Sequence, residues 1–165
     1  MGLVDSMRVL NNLKRRRITR DYVLIGGVAA TAYMEPVFTE DLDVVVMVDT
    51  DEEYLHLFQA VSSYPDGMDG THHILGGVPV QIFPSTVKPL YDDALGNARR
   101  VRVGNLRVKV ASPEHLVLLA LEAFRERDRF RITALLPLTD PSILNGLLRR
   151  FDETGELTRR LDTLH

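Results

Sequence analysis

The sequence predicts an α+β fold: a mixed β-sheet flanked by helices, followed by a helical C-terminal part. Three observations carry this. Strand-like apolar runs alternate with helical patterns in the order α-β-α-β-α up to Ser62. Two hairpin signals follow, Gly76-Gly77 and Gly104-Asn105, each between strand-like runs. Beyond Ser112 the pattern is helical and is broken near Pro137, Pro141 and Gly155. The 165 residues are expected to form one domain, 1–165, with a sheet core over about 20–110 and a helical part over about 112–165.

The elements follow in order. Residues 5–17 read as an amphipathic helix, with Met7, Leu10 and Leu13 on one face. It ends in Lys14-Arg15-Arg16-Arg17, either a solvated run suited to the helix C-terminus or a contact for nucleic-acid phosphates. Tyr22 to Ile25 is a short buried strand stopped by Gly26-Gly27, and 28–34 a short helix ended by Pro36. Residues 42–48 are almost wholly apolar and rich in valine, as in a central strand covered on both faces. The helix over 49–62 carries acids in its first turn and is expected to face Leu55, Phe58 and Val61 inward. Strands are expected at 72–75 and 78–83, a short helix or turn at 88–95, and a hairpin around Gly104-Asn105. Ser112-Pro113-Glu114 combines an N-cap, a proline at the first helical position and an acid in the first turn, starting a helix that runs to about Glu126.

Composition narrows the function classes. There is no cysteine, which excludes disulfides, zinc thiolate sites and thiol nucleophiles. The net charge is −3, so no global field draws the chain to nucleic acid or anionic membrane, and local arginine clusters matter more. No apolar run approaches the ~18 residues of a membrane span. The N-terminus lacks the apolar core of a signal peptide. A cytoplasmic protein without a membrane partner is the expectation. No Walker lysine pattern and no nucleophile-elbow serine is present.

The candidate chemistry lies in Asp41-Leu42-Asp43, downstream of Gly26-Gly27. Two carboxylates two apart on a strand share a face about 7 Å apart along the chain, where they can share a divalent metal. Alone they read as two solvated acids at a strand start. Gly26-Gly27 alone reads as a tight turn; between a strand and a helix start it also lets a phosphate approach the backbone. Together they point to a site for a nucleoside triphosphate and Mg²⁺.

The run Leu24-Ile25-Gly26-Gly27-Val28-Ala29-Ala30, then Phe38-Thr39-Glu40-Asp41-Leu42-Asp43-Val44-Val45-Val46, resembles the nucleotidyltransferase superfamily with the DNA polymerase β-like fold. It looks closest to small prokaryotic members related to AbiE-type and MNT-type toxins, which often read Gly-Gly-x-Ala and then Thr-x-Asp-x-Asp. The downstream hairpin, the Ser-Pro-Glu-His-Leu helix start and the Arg-Glu-Arg-Asp-Arg-Phe stretch extend the likeness over roughly residues 20–136. The resemblance implies Mg²⁺ on Asp41 and Asp43, which would be the catalytic pair, and a triphosphate cradled by Gly26 and Gly27. It implies transfer of NMP from an NTP to a hydroxyl of RNA, tRNA among them, or of protein, with a neutralising antitoxin as a further partner. Thr39 matches the family's threonine, bonding a phosphate or shaping the loop.

Two departures stand out. Val37 and Phe38 occupy positions where a basic residue is frequent. The third carboxylate is expected on a later strand, and Gln81 stands in its place. A glutamine oxygen ligates a metal or nucleotide weakly but is uncharged and no general base. Asp92, Asp93 and Glu114 are the acids considered as substitutes, and a nucleotide-binding protein without turnover is the alternative reading. In the second hairpin, a two-residue turn at Gly104-Asn105 sets Arg102 opposite Arg107 and Arg100 opposite Lys109. Like charges so placed repel unless they meet acids or an anionic ligand, triphosphate or an RNA backbone, which makes Lys109 a candidate nucleotide contact. His72 and His73 are adjacent, face opposite ways and are not expected to pair on a metal. Arg125, Arg127, Arg129 and Arg131 around Asp128 are expected to be solvated or paired.

Overall fold

The computed structural model describes every residue except 1, 36–40, 65–66, 70–71 and 165. Helix α1 (Leu3–Arg15) leads into β1 (Tyr22–Ile25), α2 (Gly26–Ala30), β2 (Leu42–Val46) and α3 (Asp51–Ser62). Then come β3 (Met68–Asp69), β4 (His72–Leu75), β5 (Val78–Pro84), α4 (Pro89–Gly96), β6 (Arg99–Val103) and β7 (Leu106–Val110). Helices α5 (Pro113–Ala123), α6 (Glu126–Leu135), α7 (Pro141–Phe151) and α8 (Glu156–Asp162) finish the chain. This is the expected α+β plan, and among the described residues no helix is long and apolar enough to cross a membrane.

The seven strands form one mixed sheet in the order β3-β4-β5-β2-β1-β7-β6. The valine-rich β2 is central, antiparallel to β1 and parallel to β5. Leu42, Val44, Val45 and Val46 are at most 1% exposed, which is why that strand needs no polar face. Strand β7 joins β1 in parallel, and β6 is one edge of the sheet, with β3 at the other. Both hairpins form where the glycines signal them. At the first, an added Cβ on Gly76 would come within 2.7 Å of the Asp5 Cβ and 2.9 Å of the Ser6 N. The Gly76 backbone also has φ +60°, so the turn seats against α1 only as glycine. Ser6 donates its hydroxyl to the Leu75 carbonyl there.

Helix α5 is buried almost all round, from Pro113 to Leu118 and at Ala120 and Leu121, and carries α2, α6, α7 and α8 on its sides. Its start is as expected: Ser112 accepts from the His115 N–H at 3.1 Å. Its end differs. The helix stops at Ala123, Phe124 takes a left-handed φ of 49°, and α6 begins separately at Glu126. Helical periodicity carries across such a break unchanged, so only the local contacts reveal it. A second correction concerns α3, where Leu55 is 56% exposed while Leu57 and Val61 are fully buried. The helix begins at Asp51, capped by Thr50, and the stripe that faces the sheet runs through Leu57.

Candidate functional site

Strand β1 ends at Ile25, and Gly26, at φ +72°, turns the chain into α2. Asp43, the second residue of β2, sits opposite Ile25 across the antiparallel register and beside Gln81 across the parallel one. A Cβ on Gly26 would lie 2.5 Å from the Asp43 Oδ2. The glycine is therefore required twice, by its backbone conformation and by the carboxylate against it. This contact is the physical content of the Gly-Gly to Asp-x-Asp spacing: it brings a carboxylate onto a backbone turn at the end of a buried strand.

Asp43 and Gly26 open into a cleft of about 340 Å³. Phe83, Tyr91, Leu116 and Leu119 give it apolar walls, while Lys88, Arg125 and Arg131 bring positive charge. Burial pushes the Asp43 carboxyl above the usual range, and the charge of Asp41 adds to this; His72, Arg125 and Arg127 oppose it. Asp41 is 46% exposed, with its Oδ2 3.3 Å from the His72 Nε2. A buried acid beside a second acid is a site that a cation would relieve. Among the described residues no three His, Asp or Glu side chains gather closely enough to hold a metal by themselves. The donors fit Mg²⁺ that keeps waters and takes its remaining oxygens from substrate phosphates, and do not make an all-protein cage.

The positive wall has its own construction. Asp128, 1% exposed, accepts from the Arg125 backbone N–H at 2.9 Å and its Nε at 2.7 Å, and from Arg131 at 3.3 Å. One buried carboxylate thus caps α6 and aims two guanidiniums at the cleft. Lys88 pairs with Glu122 at 2.7 Å and lies 4.6 Å over the Tyr91 ring.

Comparison by sequence finds no matching family model and no matching curated protein. Comparison by structure does find matches. A nucleotidyltransferase-like antigenic protein from Paracoccidioides brasiliensis superposes with a TM-score of 0.62 at 22% identity, over 99% of this chain and 88% of its own. The antibiotic-resistance factor ANT(2'')-Ia superposes with a TM-score of 0.61 at 12% identity, over 98% of this chain and 97% of its own. The chain has the nucleotidyltransferase fold.

Within this nucleotidyltransferase fold, several candidate residues fall together and others do not. Gly26 and Asp43 line the cleft, Gly27 follows in the first turn of α2, and Gln81 lies beside Asp43 in the sheet. Thr39 lies outside the described residues. Lys109 does not reach the cleft: it pairs with Asp21 at the opposite end of β1. The substitute acids are also engaged elsewhere. Asp93 bonds His115 at 2.7 Å and Arg150 at 2.9 Å, Asp92 lines an outer pocket with Asp93 and Arg150, and Glu114 accepts from the Asp140 N–H at 3.2 Å. Sequence reasoning missed Lys88, Arg125 and Arg131 as cleft residues and His72 as a neighbour of Asp41. The Arg-x-x-Asp spacing at Arg125 and Asp128 was the available signal, since it is also a capping arrangement that starts a helix.

Proposed function

We propose that the cleft transfers NMP from an NTP to a hydroxyl with Mg²⁺ as cofactor. The observation that carries this is the Asp43 carboxylate packed on the Gly26 turn, facing a wall that holds Arg125 and Arg131. Asp41 and Asp43 would hold Mg²⁺, which when bound neutralises phosphate charge and orients the reacting oxygens. Gly26 and Gly27 leave room for the phosphates to approach the backbone. Arg125, Arg131 and Lys88 supply positive charge toward the departing pyrophosphate. The acceptor oxygen bonds to the α-phosphorus as the bond to the bridging oxygen breaks, pyrophosphate leaves with that electron pair, and the hydroxyl proton passes to a base. The acceptor is RNA, tRNA among them, or protein. A toxin role with a neutralising antitoxin is the finer reading, supported by the likeness of the Gly-Gly-x-Ala and Thr-x-Asp-x-Asp stretches to AbiE-type and MNT-type proteins.

One observation favours a second reading. Gln81, beside Asp43, cannot take the hydroxyl proton, and no third acid joins the pair among the described residues. A protein that binds nucleotide or a partner without turnover would look the same. Incubation with each labelled NTP, Mg²⁺ and total RNA or protein, beside an Asp41→Ala/Asp43→Ala variant, decides between them. Labelling by the wild type alone supports transfer. Nucleotide binding without labelling, with activity gained by Gln81→Asp, supports the second reading.

A further inference from the structure

The register of the β6–β7 hairpin pairs Arg100 with Lys109 and Arg102 with Arg107. Arg100, Arg102 and Arg107 are exposed. Two of these side chains, with Lys14 of α1 and Lys109, border a groove of about 200 Å³ together with Asn11 and Tyr22. The acid that meets this cluster is Asp21, which pairs with Lys14 at 3.1 Å and with Lys109. Among the described residues no acid pairs with Arg100, Arg102 or Arg107, although the whole chain carries a net charge of −3. Uncompensated like charges placed opposite each other destabilise a hairpin. Protection of a sheet edge accounts for arginines on β6, an edge strand. It does not account for Arg107 on β7, which lies between β1 and β6 in the sheet.

The groove lies at the Asp21 end of β1, and Gly26 lies at the other, roughly 16 Å away by strand rise. It is therefore not the cleft's triphosphate site. We infer that the groove between α1 and the β6–β7 hairpin binds the phosphate backbone of a nucleic acid, with Arg100, Arg102 and Arg107 as the contacts. Few aromatic rings stand among these cations, so the recognition is of phosphates and carries no base stacking. This inference holds whether or not the cleft turns over.

The test is fluorescence anisotropy with a labelled single-stranded RNA of about 20 nucleotides, longer than one extended single-strand site. A DNA of the same length reports whether the sugar matters. The full chain is compared with Arg100→Ala/Arg102→Ala/Arg107→Ala and with Arg129→Ala/Arg149→Ala/Arg159→Ala, which removes three exposed arginines of the helical part. The hairpin variant is expected to bind at least ~10-fold more weakly, and its log Kd against log salt to flatten by about 2, while the control variant binds as the wild type. Asp41→Ala/Asp43→Ala is expected to keep full binding, which separates this site from the cleft. Equal losses in the two arginine variants, or no loss in the hairpin variant, would overturn the inference. Tighter, hairpin-dependent binding to phosphatidylglycerol vesicles than to RNA would overturn it in favour of a membrane surface. Circular dichroism of each variant guards against loss of fold.

Discussion

Asp43 sits where its negative charge is disfavoured. Burial, reinforced by the charge of Asp41, raises its carboxyl above the ordinary value. A group whose folded-state pKa is raised contributes stability that is fully present below its unfolded pKa and lost as pH rises through the folded pKa. Ionising this carboxyl therefore costs stability. Asp43→Asn is expected to raise the Tm at pH 7 by ~2–4 °C, the shift that about 1 kcal/mol produces in a chain of this size. The gain should shrink as pH falls through the range where the wild-type carboxyl is protonated. Thermal scans from acid to neutral pH check the sign; a Tm that falls at pH 7 would contradict it. The same variant should show no thermal shift with ATP and Mg²⁺ if the carboxylate is what holds them.

At the scale of elements, the break between α5 and α6 shapes the cleft. The left-handed Phe124 turns the chain, and Asp128 starts the next helix while holding Arg125 and Arg131. Arg125 is 55% exposed, so its pair adds little stability in itself. Arg131 is 11% exposed, and losing Asp128 would leave that guanidinium uncompensated. Asp128→Ala is expected to cost ~3 kcal/mol, the scale of breaking a buried pair, seen as a lower urea midpoint with an unchanged slope. The break illustrates a limit of pattern reading. A helix over 112–126 and another after it have nearly the same apolar periodicity as one continuous run. Leu55 fell to the same limit: Leu55, Leu57, Phe58 and Val61 define competing stripes, and tertiary packing buries Leu57 and Val61.

At the scale of the whole molecule, Asp21 ties α1 to β7 through Lys14 and Lys109. Burial works to raise its carboxyl, but hydrogen bonds from Lys109, Lys14 and the Tyr22 N–H outweigh it and hold the group below its ordinary value. A lowered folded-state pKa means stability that is present above the unfolded value and lost as pH falls through the folded one. Asp21→Asn is expected to lower stability at pH 7 by ~1–2 kcal/mol, a hydrogen-bonded and half-screened charge pair. The difference from wild type should fade as pH drops below 3.8, the ordinary carboxyl value. Urea titrations at pH 7 and pH 3 measure it. Increased sensitivity of the variant to low salt, where the freed cations repel most, is the companion result.

Local chemistry determined much of this protein before any tertiary contact. Valine-rich 42–46 had to be a buried strand, Gly76-Gly77 and Gly104-Asn105 had to turn two hairpins, and Ser112-Pro113 had to start a helix, because each reflects constraints acting within a few residues. The Gly26 to Asp43 relation was legible for the same reason: consecutive strands that pair antiparallel bring the end of the first, Ile25, opposite the start of the second, Asp43. The tertiary structure alone decided which charges share a space. Arg125 and Arg131 enter the cleft because Asp128 and the Phe124 turn aim them there, while Lys109, 66 residues beyond Asp43, is drawn to Asp21 at the far end of β1. Long side chains go where the assembled backbone leaves an opposite charge, and sequence spacing does not encode that distance.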